Sequence, residues 1–522
     1  MASGLTTAHL EPLRGTLRDL LRDRTRPWPD LRYADVRIEV VEAKRALAEN
    51  GVPRRALEEV RATLGVRVLA GDRAVSPGYV GLSLGPAEWP AVGRRVGEAL
   101  EQAYRRARAN AEHRARVRAA LGPLGASLLD TRLSPVEPCE DTVPPLFDLD
   151  PRSVDLRRAG ALAVEVSREL AALDPRLRYN AVSVLTQLGR SLFASTAGAL
   201  LDQAAALTQG TCTVAAVADG VTEELTDTMA HQRGWEILTH GVPDPLLRFP
   251  CLADFARGLA RDALELVTAP PLPATPREDV VVMDPHYTAL LAHEIVGHPA
   301  ELDRALKMET AYAGRSWFLA TLADHRIGER VASPLVTAYS DPALPGVGHY
   351  RYDHEGTPGQ RVVHILRGIF AGFMNSRQTA AVAGHAPNGH YTATDAAQVG
   401  LVRMSTTVFA AGSQDPAALL GEVDRGWYLV GHRTPSIAES REHFHISARK
   451  IYELRGGRVG QLYRDGGLMA DTRRFLLHVD GVGTDFRLYP IANCGKGQPM
   501  QSKRVGNGGP TLRSRGRVVG AV

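Results

Sequence analysis

Leu290-Leu291-Ala292-His293-Glu294-Ile295-Val296-Gly297-His298-Pro299 sets two imidazoles and a carboxylate in one short stretch, as His-Glu-x-x-x-His. Imidazole is a good zinc ligand, and a neighbouring carboxylate can take a proton from zinc-bound water. The stretch therefore predicts a zinc-dependent peptide hydrolase, with His293 and His298 on the metal and Glu294 as the catalytic acid/base. Upstream, Asp284-Pro285 has the form of a helix N-cap followed by proline at the first helical position. Tyr287, Leu290, Leu291 and Ile295 follow at spacings of three and four, which gives a helix with one apolar face.

The spacing of the histidines constrains that helix. Residues four apart on a regular helix sit about 40° from alignment, whereas residues five apart sit about 140° apart. One unbroken α-helix cannot aim both rings at one ion. Either the helix carries a bulge or it ends before His298. Gly297 allows an abrupt exit and Pro299 disfavours helical geometry at His298, so the second arrangement is expected, with His293 and Glu294 on the last turn.

A catalytic zinc site usually has three protein ligands, so a third is required. Histidines, cysteines and carboxylates of the C-terminal half are all candidates. Cys494 stands out, between Asn493 and Gly495-Lys496-Gly497 in what reads as a compact loop. Thiolate binds zinc strongly, and Lys496 would favour the thiolate form. The plainer alternative is a cysteine that packs as a small buried hydrophobe.

Composition places few limits on the chemistry. The chain has 522 residues, enough for two or three domains, and a formal net charge of +4. That balance does not demand an acidic polymer as partner. The four cysteines, Cys139, Cys212, Cys251 and Cys494, form no CxxC pair and no disulfide framework. The first residues show no apolar signal core, and no apolar run reaches membrane-spanning length. A cytoplasmic protein with reduced thiols and no membrane partner is expected.

Along the chain, helices are expected at 8–24, 90–120, 154–173 and 252–267, with strands at 33–40, 64–69, 79–84, 178–188, 190–198 and 211–218. Residues 222–266 read as largely helical or irregular, the helix near 252–267 included. The 90–120 helix carries many arginines interspersed with Glu98, Glu101 and Glu112. A nucleic-acid face is one reading, but no aromatic interleaving supports it, and a solvated face with no nucleic-acid partner is preferred. Residues 122–150 read as a connector and 269–276, rich in proline, as a linker. Beyond it the texture is β-rich, with a hairpin at Arg367-Gly368 and another at Arg455-Gly456-Gly457. The expected fold is α+β. An N-terminal α+β domain (1–121) and a middle α+β segment (122–268) packed with it precede a β-rich, antiparallel barrel- or sandwich-like C-terminal domain (277–522).

Three motifs occur in order: His293-Glu294-Ile295-Val296-Gly297-His298, Asp353-His354-Glu355-Gly356-Thr357-Pro358-Gly359 and Asn493-Cys494-Gly495-Lys496-Gly497-Gln498. Together they resemble the TldD branch of the TldD/PmbA metalloprotease family. The resemblance implies zinc held by His293, His298 and Cys494, with Glu294 as acid/base. It also implies cleavage of unstructured peptides or small modified and leader peptides. It implies pairing as a homodimer or as a heterodimer with a TldE-like subunit, in which this chain, bearing the zinc motif, is the catalytic member. Two departures bear on the substrate channel and partner. Gly71 to Gly85 stands where the family has a tryptophan-containing stretch, and Pro299 stands where glycine is expected.

The mechanism expected is attack of zinc-bound water on an extended peptide, with Glu294 relaying the proton to the leaving amine. Asp353 and Glu355 either orient a ligand histidine or stabilise a turn. His443 and His445 share one face of a strand and either contact substrate or are simply exposed. The main rival is a non-catalytic subunit of a TldD/TldE-type assembly whose metal is structural, which would show four protein ligands.

Overall fold

The N-terminal sheet opens with two 19-residue strands joined by a two-residue turn. Strand β1 (Leu31–Glu49) and β2 (Val52–Ala70) pair antiparallel along their whole length. Asn50 and Gly51 make the turn with φ of 47° and 75°. Left-handed geometry at both positions matches the twist of the flanking strands, and Asn-Gly tolerates it best. The structure, a computed structural model, describes residues 5–72, 74–121, 131–275, 277–312, 314–321 and 324–520. Part of the expected connector (122–130) and the last residue of the expected linker (276) lie outside the described residues.

One seven-stranded sheet runs through the first 231 residues. β3 (Ser76–Leu84) pairs with β2, and β4 (Glu140–Val143) runs parallel to β6. β5 (Leu177–Ser195), β6 (Leu200–Ala218) and β7 (Val221–His231) continue from β1 as an antiparallel meander. Helices α1 (Glu11–Thr25) and α2 (Val92–Leu121) cover one face. There Val36, Ile38 and Val40 pack with Leu17, Leu21, Val96 and Leu100. Alternate residues of the same strand, Arg37, Glu39 and Val41, face a cavity on the opposite side. Helices α3 (Leu156–Leu173) and α4 (Leu252–Leu266) share a second core with Ala46, Val182, Val184 and Val214. The outward face of α2 is laced with ion pairs, Arg94 to Glu98 and Arg105 to Glu101 among them.

Several expectations need correcting. The short strands at 33–40 and 64–69 are parts of one long hairpin. The segments at 178–188 and 190–198 are one strand, with Gly189 paired inside it. Residues 221–231 form strand β7 rather than helix or irregular chain.

The C-terminal half holds two large sheets and two small two-stranded ones. In chain order the main strands of the large sheets are β8 (Asp279–Met283), β9 (Ala338–Ser340), β10 (Val362–Leu366), β11 (Ile369–Phe370), β12 (Thr406–Phe409), β13 (Arg425–Ile437), β14 (His443–Arg455), β15 (Arg458–Tyr463), β16 (Gly466–Asp471), β17 (Arg487–Lys496), β18 (Gln501–Gly509) and β19 (Leu512–Gly520). The order β13-β8-β19-β16-β14, with β14 pairing back onto β13, closes a barrel. The order β11-β10-β9-β12-β18-β17 makes a six-stranded sheet. Strand β13 had no counterpart in the sequence reading. The stretch around Cys494, expected as a compact loop, belongs to the first of three consecutive strands, β17 to β19. The fold class is α+β. No helix among the described residues is long and apolar enough to cross a membrane.

Candidate metal centre

The motif helix starts as the sequence suggests. Asp284 caps it, accepting from Tyr287 N at 2.8 Å and also from Gly431 N at 2.9 Å. Helix α5 (Pro285–Leu291) is regular for seven residues, and the Tyr287 hydroxyl donates to Ile446 O at 2.6 Å, tying it to the barrel. From Ala292 to Gly297 the winding becomes π-helical, and the chain tightens to a 3-10 turn at His298–Ala300. His298 N donates to His293 O. The expectation of an exit before His298 is therefore wrong, and the bulge is what forms. An i→i+5 bond brings residue i+5 back over residue i, which an α-helix cannot do. The two imidazole centroids are 4.8 Å apart, with the rings nearly perpendicular. Gly297 leaves room inside this turn for the Met404 side chain, because a Cβ there would lie 2.1 Å from its sulfur.

Cys494 reaches the same point from strand β17, not from a loop. Its Sγ lies 3.5 Å from His298 Nε2. The candidate ligand atoms of His293, His298 and Cys494 all lie within 4.8 Å of one another, and their residues are 2%, 4% and 3% exposed. Two imidazoles and a thiol converging in a buried spot form a donor set suited to a soft or borderline cation. His293 Nδ1 is buried with no hydrogen-bond partner. Burial alone would raise the Cys494 thiol, but the His298 and His293 rings beside it hold it well below its ordinary range. The residues present thus fit a metal ion.

A polar shell surrounds the three. His298 Nδ1 donates to Glu301 Oε2 at 3.1 Å, which leaves the Nε2 lone pair facing Cys494. Glu301 is fully buried. It accepts from Arg304 Nε at 2.7 Å and pairs with Lys496 Nζ at 3.2 Å. Burial would raise its carboxyl, but Lys496, His298 and Arg304 keep it well below the usual range. Lys496 Nζ also donates to Asp303 Oδ1 at 2.6 Å and Val402 O at 2.7 Å. Its contacts are with these carboxylates, so it supports His298 through Glu301, rather than activating the thiol directly as expected.

Glu294 sits beside the triad, 9% exposed. Arg441 Nη1 donates to its Oε2 at 2.6 Å and to its backbone carbonyl at 3.0 Å. Burial raises the Glu294 carboxyl, but Arg441 and both histidines outweigh it and bring it down to about 2. Arg441 is itself held in a left-handed turn, φ 62°, with its carbonyl accepting from Thr472 Oγ1. Sequence reasoning missed Glu301, Arg304 and Arg441. Glu301 was discoverable, since His-x-x-Glu at 298–301 puts a carboxylate one turn past a ligand. Arg441 is 147 residues from Glu294, and nothing local marks it.

The other candidates lie elsewhere. Asp353 accepts from the amides of Glu355 and Thr357, both at 2.9 Å, and of Tyr391 at 3.1 Å. Glu355 bonds Arg67 Nη1 at 2.7 Å and Arg377 N at 2.8 Å, and Arg67 also grips Asp35. These residues brace a turn and bind the N-terminal sheet to the C-terminal half. His443 is exposed, 3.9 Å from Asp471, and His445 is half-buried. Neither joins the triad.

Two cavities approach the centre. One of about 460 Å3 is lined in part by Lys503, whose Cα pairs across the sheet with Cys494. Another of about 410 Å3 is lined by Arg304, Trp317 and Ser440, the last adjacent to Arg441.

Residues 276–520 match the family model described as the PmbA/TldA metallopeptidase C-terminal domain. A metalloprotease of Methanothermobacter thermautotrophicus is 33% identical over 269 residues, covering 52% of this chain and 56% of that protein. A metalloprotease of Synechocystis sp. is 28% identical over 397 residues, 75% of this chain and 79% of that protein. The matched region thus spans little more than half the length of the archaeal relative. The crystal structure of TldE from Thermococcus kodakarensis superposes with a TM-score of 0.65 at 17% identity, covering 95% of this chain and 99% of that one, which establishes a shared fold.

Proposed function

We propose that this chain is a zinc-dependent peptide hydrolase of the PmbA/TldD metallopeptidase family. The convergence of His293, His298 and Cys494 beside Glu294 carries this reading. Imidazole and thiolate together suit zinc, and three protein donors leave a position open for chemistry. A metal ion held there supplies Lewis-acid chemistry, acidifying a water and polarising the scissile carbonyl.

The protein's own groups do the rest. Glu294, ionised at neutral pH, accepts the proton of the attacking water at a carboxylate oxygen and delivers it to the leaving amine nitrogen. Arg441 fixes the direction in which that carboxylate points, and its hold must loosen as the proton arrives. Glu301 fixes the tautomer and plane of the His298 ring, and Arg304 and Lys496 fix Glu301. Burial of the whole cluster excludes bulk water.

Substrates in this reading are unstructured peptides or small modified and leader peptides, because only an extended chain can enter so enclosed a centre. Assembly as a homodimer or with a TldE-like subunit, and a cytoplasmic setting, belong to the same proposal, as does the division into 1–121, 122–268 and 277–522. The alternative is a non-catalytic subunit with a structural metal. Against it, the described residues bring three donors to the cluster and not the four of a closed site. Metal analysis of purified protein separates the readings. Cys494→Ala is expected to lose zinc, whereas Glu294→Gln is expected to keep zinc and lose peptide hydrolysis. Unchanged hydrolysis in Glu294→Gln would remove the mechanism.

A further inference from the structure

The larger cavity lies on the face of the N-terminal sheet that the helices leave bare. Its floor is Arg37, Glu39 and Val41 of β1, Gln187, Gly189, Arg190 and Ser191 of β5, Gln203 to Leu207 of β6, and His231 of β7. Arg37 is level with Phe193, and Thr208 of β6, which pairs with His231, lies beside Leu207, level with Ala43 through Gln187. The floor is therefore about 20 Å long along the strands and about 14 Å across four of them. An extended segment of about six residues has that length.

The charges on this surface are one-sided. Arg37, Arg190, Arg351, Lys503 and Arg504 line it, against Glu39. Arg190 is held by Asp202 at 2.6 Å and Arg351 by Asp141 at 3.0 Å. Among the described residues, no carboxylate comes within ion-pairing distance of Arg37, Lys503 or Arg504. Arg37 is 7% exposed, and its Nη2 is buried with no hydrogen-bond partner. Arg504 donates Nε to Gln209 Oε1 at 2.9 Å, and Lys503 Nζ donates to Met404 O at 3.0 Å. Burial, then the nearby charges of Arg45 and Arg61, press the Arg504 guanidinium down to about 10, as happens to a cation crowded by its own sign. Desolvated cations without counter-ions are costly, and a carboxylate supplied from outside would offset that cost.

We propose that this groove is a carboxylate-selecting subsite, which holds an extended acidic peptide segment against Arg37 and Arg504 while the chain passes Lys503 toward Cys494. The inference rests on the peptide-hydrolase reading and narrows its substrate to acidic peptides. Two kinds of carboxylate fit the chemistry, those of side chains and that of a peptide C-terminus.

Binding is measured by fluorescence anisotropy on the full-length, metal-loaded protein carrying Glu294→Gln, so that it is read without turnover. The probes are an amidated Glu-rich peptide, its amidated Gln counterpart, and the Gln peptide with a free C-terminus. At least one carboxylate-bearing peptide is expected to bind about tenfold tighter than the amidated Gln peptide, with the preference shrinking at high salt. The tighter of the two identifies the source of the carboxylate. Arg37→Gln and Arg504→Gln are expected to remove most of the preference, and Arg504→Glu to favour a Lys-rich peptide. Equal binding of all three probes, or an undiminished preference in both Arg504 variants, overturns the subsite. A bound acidic peptide that the wild-type protein leaves uncut would instead refute the hydrolase reading and leave the subsite standing.

Discussion

His298 N donates to His293 O, and this i→i+5 bond makes a five-residue histidine spacing serviceable. It turns the second imidazole back over the first, where Cys494 meets both. Gly297 lies inside the turn against the Met404 sulfur. Gly297→Ala is expected to destabilise the protein by about 1–3 kcal/mol through overpacking and to weaken metal binding as His298 is displaced. Urea denaturation and a metal titration read the two effects. Adding Met404→Ala should restore part of both, since the clash is with a flexible side chain.

Glu301 should matter for the metal more than for the fold. It orients His298 through Nδ1 and touches no substrate. Glu301→Gln is expected to lower metal affinity about 10- to 100-fold, measured by competition with a chelator. Affinity within twofold of wild type would show that the ring is held by packing alone.

Arg67 is a buried polar tie between the halves of the chain. It bonds Asp35 at 2.9 and 2.6 Å and Glu355 at 2.7 Å, all buried. Removing one member of a buried charged set strands the others. Arg67→Met is therefore expected to cost about 3–5 kcal/mol. Denaturation followed by tryptophan fluorescence would register it as a lower midpoint, and an unshifted midpoint would contradict the role.

His364 predicts a pH dependence of stability. It is fully buried, with Nδ1 3.0 Å from Gly372 O and Nε2 2.8 Å from Ser340 Oγ, and burial brings its pKa down to about 4. The unfolded chain takes up a proton near pH 6.5 that the folded chain refuses until about 4. This contribution is complete above pH 6.5 and is lost as pH falls toward 4, about 3 kcal/mol in all. Asp284 opposes it, since burial raises its carboxyl to about 6 and the folded chain binds that proton first. His364→Gln should flatten the acid limb of a stability–pH curve between 6.5 and 4.

Much of the site was readable because it is local. Asp284-Pro285 announced the helix start, the five-residue spacing demanded a break in α geometry, and Arg367-Gly368 marked its hairpin. What escaped reading was set by partners distant in sequence. Residues 52–61 of β2 are largely exposed on both faces, so they lack the alternation that betrays a half-buried strand. Asn50-Gly51 was the better signal there. Gly508 and Gly509 carry no strand signal in the sequence, yet a Cβ at either would lie within 3 Å of a neighbouring atom, so they are glycines of a tightly packed strand. Arg441 could be connected to Glu294 only once the barrel hairpin was folded over it.

Strand β17 delivers the sulfur about two hundred residues after the histidines, and β18 must pair with it to hold it there. While the polypeptide is still emerging from the ribosome, the imidazoles are made but their thiol partner is not. In the proposed reading, a half-synthesised chain therefore has no means of attacking its neighbours, and competence arrives only after the last sheet has closed.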